Sequence, residues 1–158
     1  MPESFTIRPA TLADVPTIVA HRRAMFEAMG YADRDALDAM DEKFGAWARE
    51  KIAAGAYRHW FALNERNAIV AGAGLWLLEW PAHPRDQSGR RGNLLNVYTL
   101  PDFRRRGLAR QLTTMILEWC RERGLRSVFL NASDEGRPLY TALGFAPTNE
   151  MRIQLQGK

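Results

Sequence analysis

The stretch from Asn93 to Arg123 limits the fold more than any other part of the sequence. It begins with an apolar run, NLLNVYTL, continues through the turn PDFRRRG and enters a long segment with apolar residues at helical spacing. That apolar face consists of Leu108, Leu112, Met115, Ile116 and Trp119. The pattern predicts a strand, a glycine-containing turn and an amphipathic helix.

The predicted junction between this strand and helix favours an anion. A helix N-terminus has unpaired backbone N–H groups and a partial positive charge. The same turn supplies Arg104, Arg105 and Arg106, and Gly107 would let a ligand approach the backbone because it has no Cβ. We therefore interpret the turn as a phosphate cradle. A solvated basic turn is the alternative.

Two motifs in this part of the chain resemble those of one protein family. The pattern R-x-x-G-x-A at 104–109 resembles motif A of the GNAT acetyltransferase superfamily, and GRPLYTALGF at 136–145 resembles its motif B. A strand-like segment, SVFLNAS, separates them, as the family expects. The resemblance covers roughly 93–145 and depends on both motifs occurring in this order and at this spacing.

The order of predicted elements indicates one α/β or α+β domain over residues 1–158, with a mixed sheet and helices on both faces. A GNAT fold has this order, and its sheet parts between the fourth and fifth strands. The predicted elements are a strand at 5–8, helices at about 11–29 and 35–53, strands at 57–63 and 68–80, the central strand and helix, a strand at 128–131, a helix at 137–143, and one or two strands within 145–155.

The resemblance implies that acetyl-CoA lies in this parting of the sheet. Its pantetheine would pair with the free edge of the fourth strand and its diphosphate with backbone N–H groups of the turn. Asn131 and Ser133 would end the fifth strand beside the cofactor, although Ser133 could instead cap the next helix. The cofactor-binding residues expected from the family are Val97, Tyr98, Thr99, Arg104, Arg105, Arg106, Gly107, Leu108, Ala109, Arg110, Asn131 and Ser133.

Tyr140 and Glu79 are the candidate catalytic residues. Tyr140 matches the motif B tyrosine that the family commonly uses to protonate the departing CoA thiolate; a half-buried structural tyrosine is the alternative. Many relatives carry a carboxylate base on the fourth strand, but this strand offers only Asn96 and Tyr98. Glu79, near the end of the preceding strand, is the substitute, with an exposed strand-end acid as the alternative reading.

Charge and composition narrow the class of protein. Residues 85–110 carry seven arginines against two aspartates, so this segment alone exceeds the net charge of +4 of the chain. A single cysteine, Cys120, excludes an intrachain disulfide, and the three scattered histidines suggest no metal site. No signal peptide and no apolar run of membrane-spanning length is present, which predicts a cytoplasmic protein.

These features together predict an N-acetyltransferase that transfers the acetyl group of acetyl-CoA directly to an amine within a ternary complex. The partner would be a small-molecule or peptide amine, with no nucleic acid and no membrane, and a homodimer remains open. Residues 33–50 carry six acids against three bases, which favours a cationic acceptor. An acyl-CoA sensor without turnover and, less favoured, a nucleic-acid-binding module are the alternatives.

Overall fold

A computed structural model describes residues 2–156. Most predicted elements are present, and the central strand begins at Arg90, earlier than expected. No helix in the described range is both long and apolar enough to cross a membrane. The elements are β1 (Thr6–Pro9), α1 (Val15–Ala28), α2 (Arg34–Ala53), β2 (Tyr57–Leu63), β3 (Ile69–Glu79), β4 (Arg90–Thr99), α3 (Leu108–Glu122), β5 (Val128–Phe129) and α4 (Arg137–Ala142), with 3-10 turns at Leu12–Asp14 and Pro101–Phe103.

The five strands form one mixed sheet in sequence order. The pairs from β1 to β4 are antiparallel, which short connections allow, and β5 pairs with β4 in parallel after the α3 crossover. The parallel pairing is short: Gly92 lies opposite Val128 and Asn93 opposite Phe129. Beyond Asn93 the two strands separate, so the expected parting of the sheet is present between β4 and β5.

Helices cover both faces of the sheet because the strands alternate their side chains between them. On one face, α1 and α2 pack on Tyr57 and Phe61 of β2. On the other face, the apolar stripe of α3 packs on Trp60 and Ala62 of the same strand. This alternation fixes which side chains of β4 face α1 and α2.

A β-bulge interrupts β4 where it passes α1. Leu95 lies opposite Gly74 and Tyr98 opposite Gly72, so two β4 residues face a single β3 residue. Asn96, within the bulge, has a φ of 56°, in the left-handed region that Asn tolerates better than most residues. The bulge thereby bends the strand beside the parting of the sheet.

The strands expected within 145–155 do not form. Residues 145–156 contain no strand, although Met151, Ile153 and Leu155 alternate as a strand would and are 93%, 78% and 87% exposed. An isolated strand lacks the hydrogen-bond ladder that stabilises it, and β5 offers an edge only two residues long. Alternating apolar residues therefore do not predict a strand where no neighbouring strand is available for pairing.

Candidate active site

One continuous cleft of about 2110 Å³ opens where β4 and β5 separate. One side, here called the amide wall, consists of the lining residues between Leu94 and Arg110, on β4, the following turn and the start of α3. The opposite side is formed by β5, the chain after it and α4. A third surface, here called the aromatic wall, consists of Arg22, Met25, Phe26, Met29, Tyr31, Phe44, Trp47 and Trp76.

The amide wall presents backbone groups that the fold leaves unpaired. The edge of β4 that faces β5 has no strand partner from Leu94 onward, and Val97, Tyr98 and Thr99 line the cleft there. Among residues 2–156, no hydrogen bond uses the backbone N–H groups of residues 105–110. An extended ligand segment could thus pair with β4, and an anion could bind the N–H groups at the start of α3.

The turn before α3 has the backbone conformation of an anion-binding concavity. Arg105 has a φ of 64° and Gly107, at the N-cap of α3, a φ of 80°. Left-handed residues in such a turn bring successive N–H groups to one side. A Cβ built on Gly107 would have no heavy atom within 4 Å, so the space beside it is open to a ligand.

The three turn arginines have different environments. Arg104 Nε donates to the carbonyl of Thr99 at 3.0 Å, and Arg105 lines the cleft. The side chain of Arg106 does not line the cleft; it forms an ion pair with Glu3 and donates to the carbonyl of Asp102. The expected cofactor contact of Arg106 is therefore limited to its backbone N–H, whereas Leu108, Ala109 and Arg110 line the cleft as expected.

Asn131 and Ser133 line the cleft after β5. The Asn131 side-chain oxygen accepts from Arg152 Nη2 at 3.4 Å. Ser133 Oγ accepts from the backbone N–H of Gly136 at 3.1 Å, within the turn that precedes α4; the N-cap of α4 is Gly136, so Ser133 does not cap this helix. That bond leaves the Ser133 hydroxyl proton free to donate to a ligand.

Tyr140 lies on α4 and its half-buried ring lines the cleft opposite the amide wall. The ring packs edge to face on Phe145, with centroids 5.8 Å apart. Burial raises the pKa of Tyr140, and no hydrogen bond contributes to that change. The phenol therefore stays protonated at neutral pH and can donate its proton.

Glu79 lies outside the cleft, in a position that does not favour it as the base. It is exposed at the end of β3, its register partner is Arg90 at the outer end of β4, and it does not line the cleft. The expectation that burial on the acceptor side would adapt it for proton transfer is wrong. The reason is that β3 and β4 run on past the cleft toward the loop that joins them.

A buried polar chain supports the aromatic wall, and the sequence analysis missed it. Arg22 Nη1 donates to Asn96 Oδ1 at 2.6 Å, Asn96 Nδ2 donates to Tyr57 Oη at 2.9 Å, and this hydroxyl and His59 Nδ1 share a hydrogen bond of 2.9 Å. The space for the Tyr57 ring comes from a β3 glycine, because a Cβ on Gly74 would lie 2.4 Å from Tyr57 Oη.

All members of this chain except Arg22 are neutral. Burial lowers the pKa of His59 to about 3, and burial also raises the pKa of Tyr57. Two sequence signals could have indicated the chain. Arg22 falls on the buried face of α1, four residues after Ile18, and Asn96 interrupts an apolar strand.

Several acids of residues 33–50 have partners in the structure. Arg23 Nη1 pairs with Asp38 at 2.7 Å and with Asp41 at 2.8 Å. The Asp33 side chain caps α2 by accepting from the N–H of Ala36 at 3.1 Å. Arg23 therefore offsets part of the negative charge of residues 33–50, and the cationic acceptor stays a prediction.

Comparisons with known proteins agree with this geometry. The family described as "Acetyltransferase (GNAT) family" matches residues 20–145. A GCN5-related N-acetyltransferase from Ralstonia eutropha has 35% sequence identity and a TM-score of 0.90, with 98% of this chain and 100% of that chain covered. No curated protein matches the chain.

Two further solved structures share the fold. A predicted acetyltransferase with acetyl-CoA from Clostridium acetobutylicum has 27% identity and a TM-score of 0.87, covering 97% of this chain and 96% of that one. A ribosomal-protein-alanine N-acetyltransferase from Brucella melitensis has 20% identity and a TM-score of 0.70, covering 98% and 100%. The second likeness concerns the fold alone.

Proposed function

Because the chain belongs to the GNAT acetyltransferase family, we propose that it is an N-acetyltransferase that transfers the acetyl group of acetyl-CoA to an amine. The observation that carries this proposal is the run of free backbone N–H groups at residues 105–110, which faces a cleft beside the unpaired edge of β4. A diphosphate suits those N–H groups, and an extended pantetheine arm suits that edge.

Acetyl-CoA supplies an activated acetyl thioester, and the residues of this chain bind and orient it. The N–H groups of residues 105–110 bind the diphosphate, while Arg105 and Arg110 contribute electrostatic attraction. The backbone N–H of Val97, in the β4 bulge, donates a hydrogen bond to the thioester carbonyl and stabilises the charge that develops on its oxygen. The N–H of Tyr98 is directed to β3 instead, because the Leu100 N–H donates to Val70 and Tyr98 lies opposite Gly72 in the same antiparallel register. The acceptor amine attacks from the side of the aromatic wall.

Tyr140 protonates the leaving sulfur in this proposal. Its phenol lies in the cleft opposite β4 and stays protonated because burial raises its pKa. The aromatic wall residues named above include no acid, whereas Asp134, Glu135 and Glu150 line the other side of the cleft. In this proposal the amine loses its proton to water. The rate should then rise with pH as the neutral amine becomes more abundant.

Two measurements on the same preparation test this function. Calorimetric titration measures binding of acetyl-CoA, and a thiol assay measures CoA release across a panel of amines at several pH values. We expect binding together with amine-dependent CoA release. Binding without release for every amine would instead support an acyl-CoA sensor, and no binding would contradict the proposed site.

A further inference from the structure

Arg22 brings a positive charge to the aromatic wall without an acidic partner among the described residues. Its Nη1 donates to the neutral Asn96 side chain, and its Nε is buried with no hydrogen-bond partner in the part of the chain the structure describes. The guanidinium lies 5.0 Å from the ring centroid of Phe26 and 4.7 Å from that of Phe44. Arg22 lines the cleft, and three of its five N–H donors remain once the buried Nε–H and the one Nη1–H that Asn96 accepts are set aside.

The neighbouring arginine on the same helix shows the contrast. Arg23 is paired with Asp38 and Asp41, whereas no carboxylate within 2–156 lies in salt-bridge contact with Arg22. Burial lowers the pKa of Arg22, but an arginine guanidinium stays protonated in proteins. A partly desolvated cation without a counter-ion is costly unless a ligand supplies one.

The surroundings of Arg22 restrict what that ligand can be. The guanidinium lies close to the rings of Phe26 and Phe44, and its amino groups can donate to a group with acceptor oxygens in the cleft. Trp47 and Trp76, in edge-to-face contact at 5.3 Å, add apolar surface to the same wall. The wall thus combines one fixed cation with an apolar lining.

We propose that the acceptor of the acetyl group is an amine that also carries an anionic oxygen group, a carboxylate or a phosphate, and that Arg22 binds this group. The inference rests on the proposed function, because it concerns the acceptor half of the same cleft. It replaces the cationic acceptor expected from the charge of residues 33–50.

Matched acceptors test the proposal at saturating acetyl-CoA. A series of ω-amino acids is compared with their primary amides, and a series of ω-aminoalkyl phosphates with the corresponding amino alcohols, by kcat/KM for CoA release. We expect the anionic member to be preferred by at least roughly tenfold in one series, which identifies the anion. Equal or greater turnover of the neutral members would overturn the proposal.

Variants then assign the preference to Arg22. Arg22→Gln should abolish it by lowering kcat/KM roughly 10- to 100-fold for the anionic acceptor and by much less for its neutral partner, with acetyl-CoA affinity unchanged. Arg22→Lys should retain part of it, because the charge remains and the planar fork is lost. The control Arg49→Gln removes an exposed arginine of α2 outside the cleft and should change nothing.

The outcomes distinguish a failure of the acceptor proposal from a failure of the proposed function. Equal losses for anionic and neutral acceptors in Arg22→Gln would make Arg22 a structural residue and overturn the proposal. The wild-type preference is measured without any variant, so the test stands even if Arg22→Gln does not fold. Absence of CoA release with every amine, charged or neutral, would instead be a failure of the proposed function.

Discussion

The two walls of the cleft are built in different ways. The amide wall uses backbone groups from one continuous segment, from the unpaired edge of β4 to the start of α3. The aromatic wall uses side chains from α1, the chain after it, α2 and β3, held by a hydrogen-bond chain that reaches from Arg22 to His59. Backbone groups suit a ligand whose shape is the same for every protein of this fold. Side chains can differ from one protein to the next, so they suit a ligand that also differs.

This difference implies that a mutation in one wall can weaken binding of one substrate without affecting the other. A change at the turn should affect acetyl-CoA alone, and a change at Arg22 the acceptor alone. A residue that acts on the reaction, such as Tyr140, should affect neither affinity. The predictions below test this separation, in order of decreasing expected effect.

The largest effect is expected at Tyr140. Tyr140→Phe removes only the hydroxyl, so its packing on Phe145 should remain. Loss of a general acid typically lowers the rate by on the order of 10²–10⁴, and we expect this loss in kcat with acetyl-CoA affinity within a few-fold of wild type. Steady-state kinetics and calorimetry measure the two quantities. A fall in affinity with kcat preserved would make Tyr140 a binding residue.

Gly107→Val should weaken acetyl-CoA binding by roughly 100-fold or more, because a branched side chain would occupy the space beside the free N–H groups. Valine also disfavours the φ of 80° at this position, so the variant pays a conformational cost. Gly124→Val is the matched control, since Gly124 has a φ of 75°, open surroundings and a position outside the cleft.

Both glycine variants should lose stability to a similar extent, and only Gly107→Val should lose acetyl-CoA affinity in calorimetric titration. Equal affinities in the two folded variants would remove the turn from the proposed binding site. That result would also contradict the assignment of acetyl-CoA to the amide wall, because this turn is part of that wall.

The buried chain beneath the aromatic wall should make stability depend on pH. Burial lowers the pKa of His21 to about 4 and that of His59 to about 3, from an ordinary value of 6.5. The unfolded chain therefore binds more protons below pH 6.5, and the free energy of unfolding should fall by more than about 1 kcal/mol between pH 6.5 and 4. The lowered pKa of Asp14, about 2, acts only at still lower pH.

Urea unfolding at a series of pH values checks this dependence. His59→Gln keeps a neutral partner for Tyr57 and should reduce the slope, because one of the two buried histidines no longer titrates. His83→Gln changes an exposed loop histidine and should leave the slope as in wild type. An unchanged slope in His59→Gln would show that His59 does not titrate differently in the folded and unfolded states.

The smallest effect is expected at Glu79. Glu79→Gln should leave kcat, KM for the acceptor and the pH profile within about twofold of wild type, because an exposed surface substitution of this kind has little effect. Kinetics across pH 6 to 9 would measure this. Loss of the rising limb of the pH profile in Glu79→Gln would instead support Glu79 as the base.

The sequence predicted the fold and the strand, turn and helix around Gly107, because these follow from local patterns; the cofactor contacts of that turn stay predictions. Helical spacing from Leu108 to Trp119 and the glycine turn before it lie in one segment, so a motif can describe them. Arg22 and Asn96 are 74 positions apart, and only the packing of α1 on the β4 bulge brings them together. The strands predicted within 145–155 do not form for a similar reason, because a strand needs the edge of another strand elsewhere in the chain for pairing.

The most direct test of the account is amide hydrogen exchange, resolved to single residues by NMR, with and without acetyl-CoA. We predict that acetyl-CoA slows exchange at residues 105–110, whose N–H groups have no partner within the described chain, and at Val97 and Thr99 on the edge of β4. The amides of α2 should change little. Slower exchange confined to α1 and α2, with residues 105–110 unaffected, would contradict the claim that the amide wall binds the acetyl donor.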